Sequence, residues 1–107
     1  MKPETYSFIM QVFDLARLIP EGRVTTYGTI ARALGSAKSA RLVGKAMNHS
    51  HGTIYKVPAH RVVNGSGLLT GKFHLTDPDQ MQSLLEAEGI TVKDNQVQYF
   101  KKVFCPP

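Results

Sequence analysis

Three groups of residues in this chain are of a type that could do chemistry. The first is the run Val57-Pro58-Ala59-His60-Arg61-Val62-Val63. His60 could hold or move a proton near neutral pH, but its neighbour Ala59 offers only a methyl group, which can neither ionise nor attack. The second is Cys105, the sole cysteine. A thiolate is a strong nucleophile, yet Cys105 sits far downstream in a tail ending in proline, and nothing in the spacing brings it to His60. It reads as a free thiol without a catalytic role. The third is the pair His49 and His51. Two histidines at this spacing can begin a metal site, but no cysteine or carboxylate lies close by to complete it. No metal and no cofactor are expected.

Composition narrows the partners. The chain has 107 residues, 42% of them hydrophobic, which suits one domain spanning 1–107 with its own core. A lone cysteine forms no internal disulfide, so packing must supply the stability. Lys and Arg total 13 against 8 Asp and Glu, a net charge of +5. For a small domain that suits a polyanionic partner, nucleic acid first, and equally a basic surface kept for solubility; charge alone does not choose between them. The N-terminus lacks a basic segment followed by an apolar stretch, and no apolar run approaches a membrane span. The expectation is a soluble monomer in the cytoplasm with no membrane partner, associated with the nucleoid if the source is bacterial.

The elements that must position these residues follow from periodicity. Phe8, Ile9, Val12, Phe13, Ala16 and Ile19 recur at helical spacing, giving a first helix from about Pro3 to Leu18 that Pro20 and Gly22 end. A short helix starts at Thr25 or Thr26, either of which can cap it, and stops at Gly35. A third runs from about Ala37 to Asn48, with Ala40, Val43, Gly44 and Met47 on one face and Arg41, Lys45 and Asn48 on another. Two short helices joined through a glycine make a helix-turn-helix whose second helix carries a basic stripe. Residues 55–63 read as a loop entering a short strand, 64–67 as a turn, and 68–76 as an irregular loop. Asp77-Pro78 opens a helix ending at Glu88-Gly89. Strands over 90–92 and 97–100, joined through 93–96, complete an α+β, mostly helical, winged helix-turn-helix domain.

Read with its surroundings, the Val57–Val63 run resembles the active-site motif of the O6-alkylguanine-DNA alkyltransferases, Pro-Cys-His-Arg-Val. The resemblance extends to Ile19-Pro20-Glu21-Gly22-Arg23-Val24-Thr25-Thr26-Tyr27-Gly28, to Ala40-Arg41-Leu42-Val43-Gly44-Lys45-Ala46-Met47, and to Leu84-Leu85-Glu86-Ala87-Glu88-Gly89. It covers roughly residues 7–90 and implies the fold of that family's C-terminal domain. Ala59 stands where the family has its nucleophilic cysteine, so the chain is similar to the alkyltransferase-like proteins, which keep the fold and lesion pocket without that cysteine. The resemblance implies no catalytic residue and no enzyme. It implies binding of double-stranded DNA containing O6-alkylguanine through the minor groove, flipping of the base, and a signal to nucleotide excision repair proteins.

Site roles carry over residue by residue. Arg41 matches the arginine that fills the gap left by a flipped nucleotide, and Tyr27 the tyrosine that presses on its phosphate. Thr26, Ser39 and Lys45 are further DNA contacts, with ordinary surface residues as the alternative for Thr26 and Ser39. The lesion pocket is expected from Tyr27, Val57, Pro58, Ala59, His60, Arg61, Val62 and Val63. Lys72 either faces the flipped base or is a solvated surface lysine. His60 and Glu88 match a proton relay that here has nothing to activate, so they are expected to keep a structural hydrogen bond. The family's Asn-Pro hinge is replaced by Asn48-His49-Ser50-His51-Gly52, which aligns in more than one way. The Met1-Lys2 tail is too short for the N-terminal domain that many alkyltransferases carry. A helix-turn-helix transcription regulator without lesion specificity is the alternative reading.

Overall fold

The helical periodicity of the N-terminal segment produces α1, Pro3–Arg17, with Glu4 in its first turn and Arg17 in its last, charges that suit the helix dipole. Its apolar stripe buries Ile9, Val12, Phe13 and Ala16. Leu18 and Ile19 bond back to Leu15 and Ala16 and tighten the last turn. Gly22 then takes a positive φ of 83° to reverse the chain. The computed structural model describes residues 3–35, 40–48, 57–70 and 79–106.

Thr25–Thr26 form β1, which pairs in parallel with β2, Val62–Val63. Thr26 is also the cap of α2, Tyr27–Ala33: its Oγ1 accepts the Thr29 N–H at 3.0 Å. Of the two threonines offered by the sequence, the second therefore caps, while Thr25 is fully buried beneath it. Helix α3, Ala40–Asn48, leaves Arg41, Lys45 and Asn48 outside and buries Val43 and Met47, as its spacing predicts, but it is Ala46 that joins them in the core, while Ala40 and Gly44 of the expected apolar face are only half-buried. Its expected start at Ala37 lies outside the described residues. The run before β2 contains a 3-10 turn, Ala59–Arg61, that periodicity does not reveal.

Helix α4, Gln80–Ala87, buries Met81 and Leu85 and has Asp79 in its cap position, so it starts two residues later than a cap at Asp77 would place it; Asp77 and Pro78 themselves are outside the described residues. The terminal hairpin is tighter than expected. β3, Val92–Lys93, and β4, Gln96–Val97, meet across Asp94 and Asn95, both with positive φ, so the loop has two residues rather than four. The strand expected over 97–100 also ends early. Tyr99 adopts a left-handed conformation and Phe100–Val103 form a short helix, α5. In place of a strand, a helical turn brings Phe100 onto Phe104, with ring centroids 5.4 Å apart, and seats Phe100 on the second core. The chain then bonds to Val24 from Cys105 N–H at 2.8 Å.

Two cores meet at β2. Val62 packs with α1, α2 and α3, whereas Val63 packs with Val24, Leu69, Met81, Leu85, Ile90, Val92 and Val97. Alternation along a strand thus sends neighbouring valines into opposite halves. The result is the mostly helical α+β helix-turn-helix fold read from the sequence.

One buried polar atom stands out. Among the described residues, Thr25 Oγ1 has no hydrogen-bond partner, and the residue is fully buried. An unpartnered buried hydroxyl is destabilising by about 1–3 kcal/mol. Thr25→Val keeps the shape and removes that penalty, so urea denaturation should show a gain of about 1 kcal/mol; a loss of that size would show that the hydroxyl is bonded.

Candidate nucleic-acid interface and lesion pocket

The 3-10 turn holding Ala59 is anchored by a single carboxylate. Glu88, at the end of α4, faces three donors. His60 Nε2 lies 2.6 Å from its Oε2. Arg61 reaches it through Nε at 3.0 and 3.1 Å and through Nη2 at 2.8 Å. The Gly22 N–H donates to Oε1 at 3.0 Å. Arg61 Nη1 also donates to the Ile19 carbonyl at 2.9 Å. The carboxylate therefore joins the end of α1, the turn after it, the Ala59 turn and α4. Its side chain is only 8% exposed. Burial opposes its charge, but hydrogen bonds from Arg61, Gly22 and His60, with the His60 charge, outweigh burial and lower the carboxyl to about 2.

Ala59 is half-buried, and with Val57 and Tyr27 it packs against the first core. Pro58 precedes it at the start of the turn. The pocket residues expected from the sequence therefore divide. Val57, Pro58, Ala59 and His60 stay partly accessible. Val62 and Val63 are fully buried, one in each core, so only their backbones remain to face a ligand. The Arg61 guanidinium is committed to Glu88 and Ile19. Lys72, Ser39, His49 and His51 lie outside the described residues.

The helix-turn-helix borders two adjoining cavities, and of the residues expected in the lesion pocket only Tyr27 lines them; the described residues 57–63 do not. One, of about 540 Å³, is bordered by Thr26, Tyr27, Arg32, Arg41, Asn64 and Phe100 among others. The second, of about 390 Å³, is bordered by Tyr27, Ala40, Arg41, Gly44, Lys45, Asn48 and Thr70. Tyr27, Ala40 and Arg41 form the wall they share. The structure thus brings together Thr26, Tyr27, Arg41 and Lys45. Arg41 and Lys45 are exposed and make no hydrogen bond or ion pair with another described residue. The Tyr27 phenol is raised above its ordinary pKa by burial, which outweighs its hydrogen bond with Thr70. It remains a hydroxyl donor at neutral pH. Ala40 and Gly44 keep this face of α3 slim, whereas Ala46 turns into the core.

Sequence reasoning passed over several participants. Arg61 is 27 positions from Glu88, beyond any local pairing rule, and the Gly22 N–H carries no side-chain signal at all. Arg32, Asn64 and Thr70 read as helix, turn and loop residues. Cys105 packs at the C-terminal strap, its N–H on Val24, and Sγ lies 3.5 Å from the Pro106 carbonyl. Among the described residues no cluster could hold a metal, and no helix is long and apolar enough to cross a membrane.

The chain resembles known proteins over most of its length. Residues 7–90 match the family model of the 6-O-methylguanine DNA methyltransferase DNA-binding domain. The chain is 36% identical over 94 residues to alkyltransferase-like protein 1 of Schizosaccharomyces pombe, covering 88% of this chain and 86% of that one. It is 42% identical over 88 residues to a DNA base-flipping protein of Vibrio parahaemolyticus, covering 81% and 84%. Its fold superposes on the crystal structure of S. pombe Atl1 in complex with damaged DNA containing O6-carboxymethylguanine, with a TM-score of 0.82 and 33% identity over the whole of both chains. A Mycobacterium tuberculosis O6-methylguanine methyltransferase superposes less fully, with a TM-score of 0.64 and 38% identity, covering 76% of this chain and 47% of that one.

The Glu88 network sets a pH dependence. A carboxyl at about 2 in the folded chain and 4.5 in the unfolded one contributes stability that is full above 4.5 and lost as pH falls towards 2. The contribution is about 3 kcal/mol. Urea melts between pH 6 and 2 should show this decline, and Glu88→Gln should lower stability at neutral pH by about 3 kcal/mol or more and flatten the decline. An equally steep decline in the variant would assign it to other groups.

Proposed function

The chain belongs to the 6-O-methylguanine DNA methyltransferase DNA-binding domain family, and from that premise we propose that it binds O6-alkylguanine in double-stranded DNA without removing the alkyl group. The observation that carries this reading is an intact His60–Glu88–Arg61 network beside a methyl group. The network orders the turn, but Ala59 supplies no thiolate to attack the alkyl carbon. The relatives support the binding half: alkyltransferase-like and base-flipping proteins are similar over most of the chain, and the fold matches Atl1 bound to damaged DNA.

In this reading α3 enters the minor groove. Arg41, exposed and unpartnered among the described residues, replaces the extruded base in the stack and offsets part of the unstacking cost, a few kcal/mol. Tyr27 presses its hydroxyl on the phosphate of the flipped nucleotide, which enters beside Ala59. With only a methyl group at 59, the pocket admits bulky adducts as well as small ones. The protein acts as a monomer in the cytoplasm, and nucleotide excision repair proteins take over the lesion that it marks. That hand-over rests on the family resemblance alone.

Equilibrium binding to one duplex sequence, with and without a single O6-methylguanine and at fixed salt, tests the reading. The modified duplex should bind at least 10-fold more tightly, a larger adduct no more weakly, and Arg41→Ala should remove most of the difference. Equal affinity for modified and unmodified duplexes would instead favour a sequence-directed helix-turn-helix regulator.

A further inference from the structure

We infer that Arg32 and the larger cavity form a second seat for the DNA backbone, one that holds a phosphodiester outside the lesion pocket. The inference rests on the DNA-binding reading but concerns a residue which that reading leaves unused. Arg32 sits in the last turn of α2, yet its side chain runs back along the helix. Its Nη2 donates to Thr29 Oγ1 at 3.3 Å. Its Nη1 lies over Gly28, 3.5 Å from where a β-carbon would stand. Helical side chains lean towards the N-terminus, so this course is unstrained. Gly28, lacking a side chain, leaves the surface open above the guanidinium.

The guanidinium thereby borders the same cavity as Arg41. Two cations face one concavity of about 540 Å³, and among the described residues no carboxylate lines it. Thr29 Oγ1, 2.7 Å from Thr26 Oγ1, holds Arg32 in place by accepting a hydrogen bond as an uncharged hydroxyl, so the bond does not neutralise the guanidinium. Among the described residues the guanidinium has no carboxylate partner, and an anion is the ligand that satisfies it. The same cavity has an apolar part, the stacked rings of Phe100 and Phe104. A phosphate with its attached sugar matches that division: the oxygens face Arg32, and the deoxyribose faces the rings. Because Arg41 borders both cavities, a strand whose flipped nucleotide is held at Tyr27 continues directly into this one. An acidic protein segment would satisfy the guanidinium but has no use for continuity with Arg41.

Backbone contacts strengthen binding without reading the lesion, and each adds close to one unit to the salt dependence of log affinity. The test compares wild type, Arg32→Gln and Arg32→Lys on modified and unmodified duplexes across several salt concentrations. Arg32→Gln should weaken both duplexes by a similar factor, about 3- to 10-fold near 0.1 M salt, and reduce the log–log salt slope by about 1. Arg32→Lys should keep the slope. Unchanged affinity and slope on both duplexes would overturn the inference, as would a loss confined to the modified duplex. The salt slope on unmodified DNA is readable even if wild type shows no lesion preference, so failure of the lesion reading is distinguishable from failure of this one. Arg32 is exposed, and thermal melts of each variant separate a folding defect from a binding one.

Discussion

The Glu88 carboxylate is the interaction on which the arrangement of the site depends. It is nearly buried, and it collects a histidine, an arginine and a backbone N–H from segments far apart in the chain. A buried carboxylate left without donors would give up its charge. Here the donors keep the charge down to about pH 2, and the charge fixes where the donors lie. The turn bearing Ala59 is therefore held from behind by Glu88 while β2 holds it from its C-terminal side, with Val62 and Val63 gripping opposite cores. Such doubled anchorage suits a loop that must receive a bulky group without rearranging.

That rigidity gives the alanine its meaning. In an enzyme with a thiol at this position, a histidine bonded to a buried carboxylate would draw off the thiol proton. Here the same pair has no proton to move towards a reaction and contributes only order. A reaction would end in release; a bound lesion with no attacking atom persists for as long as the contacts hold. Arg41 and Tyr27 lie on the shared wall of the two cavities, and in the proposed reading they supply those contacts, with Arg32 extending them along the backbone.

Much of this was legible in the residues, and the remainder fails for identifiable reasons. Helical spacing gives α1 and the exposed basic stripe of α3, because burial and exposure alternate there with the helical period; small Ala40, Gly44 and Ala46 carry too weak a signal to separate core from cavity wall. Pairing of His60 with Glu88 followed from family resemblance, not from spacing. Arg61 was placed in the pocket because it follows His60 in the motif, but Glu88 and the Ile19 carbonyl draw its side chain away. Residues 97–100 read as a second strand after a turn, but Tyr99 in a left-handed conformation and the Phe100–Phe104 stack favour a helical turn instead. Arg32 gave no signal, since only the folded helix shows that its guanidinium returns over Gly28.

The central claim is that the lesion is held and left intact. Intact-protein mass spectrometry after prolonged incubation with a duplex carrying one O6-methylguanine, with the base composition of the recovered DNA, tests it most directly. The account predicts unmodified protein and O6-methylguanine recovered in full from the bound DNA. Gain of one methyl group by the protein in stoichiometric amounts, on Cys105 or elsewhere, with loss of the modified base, would contradict it.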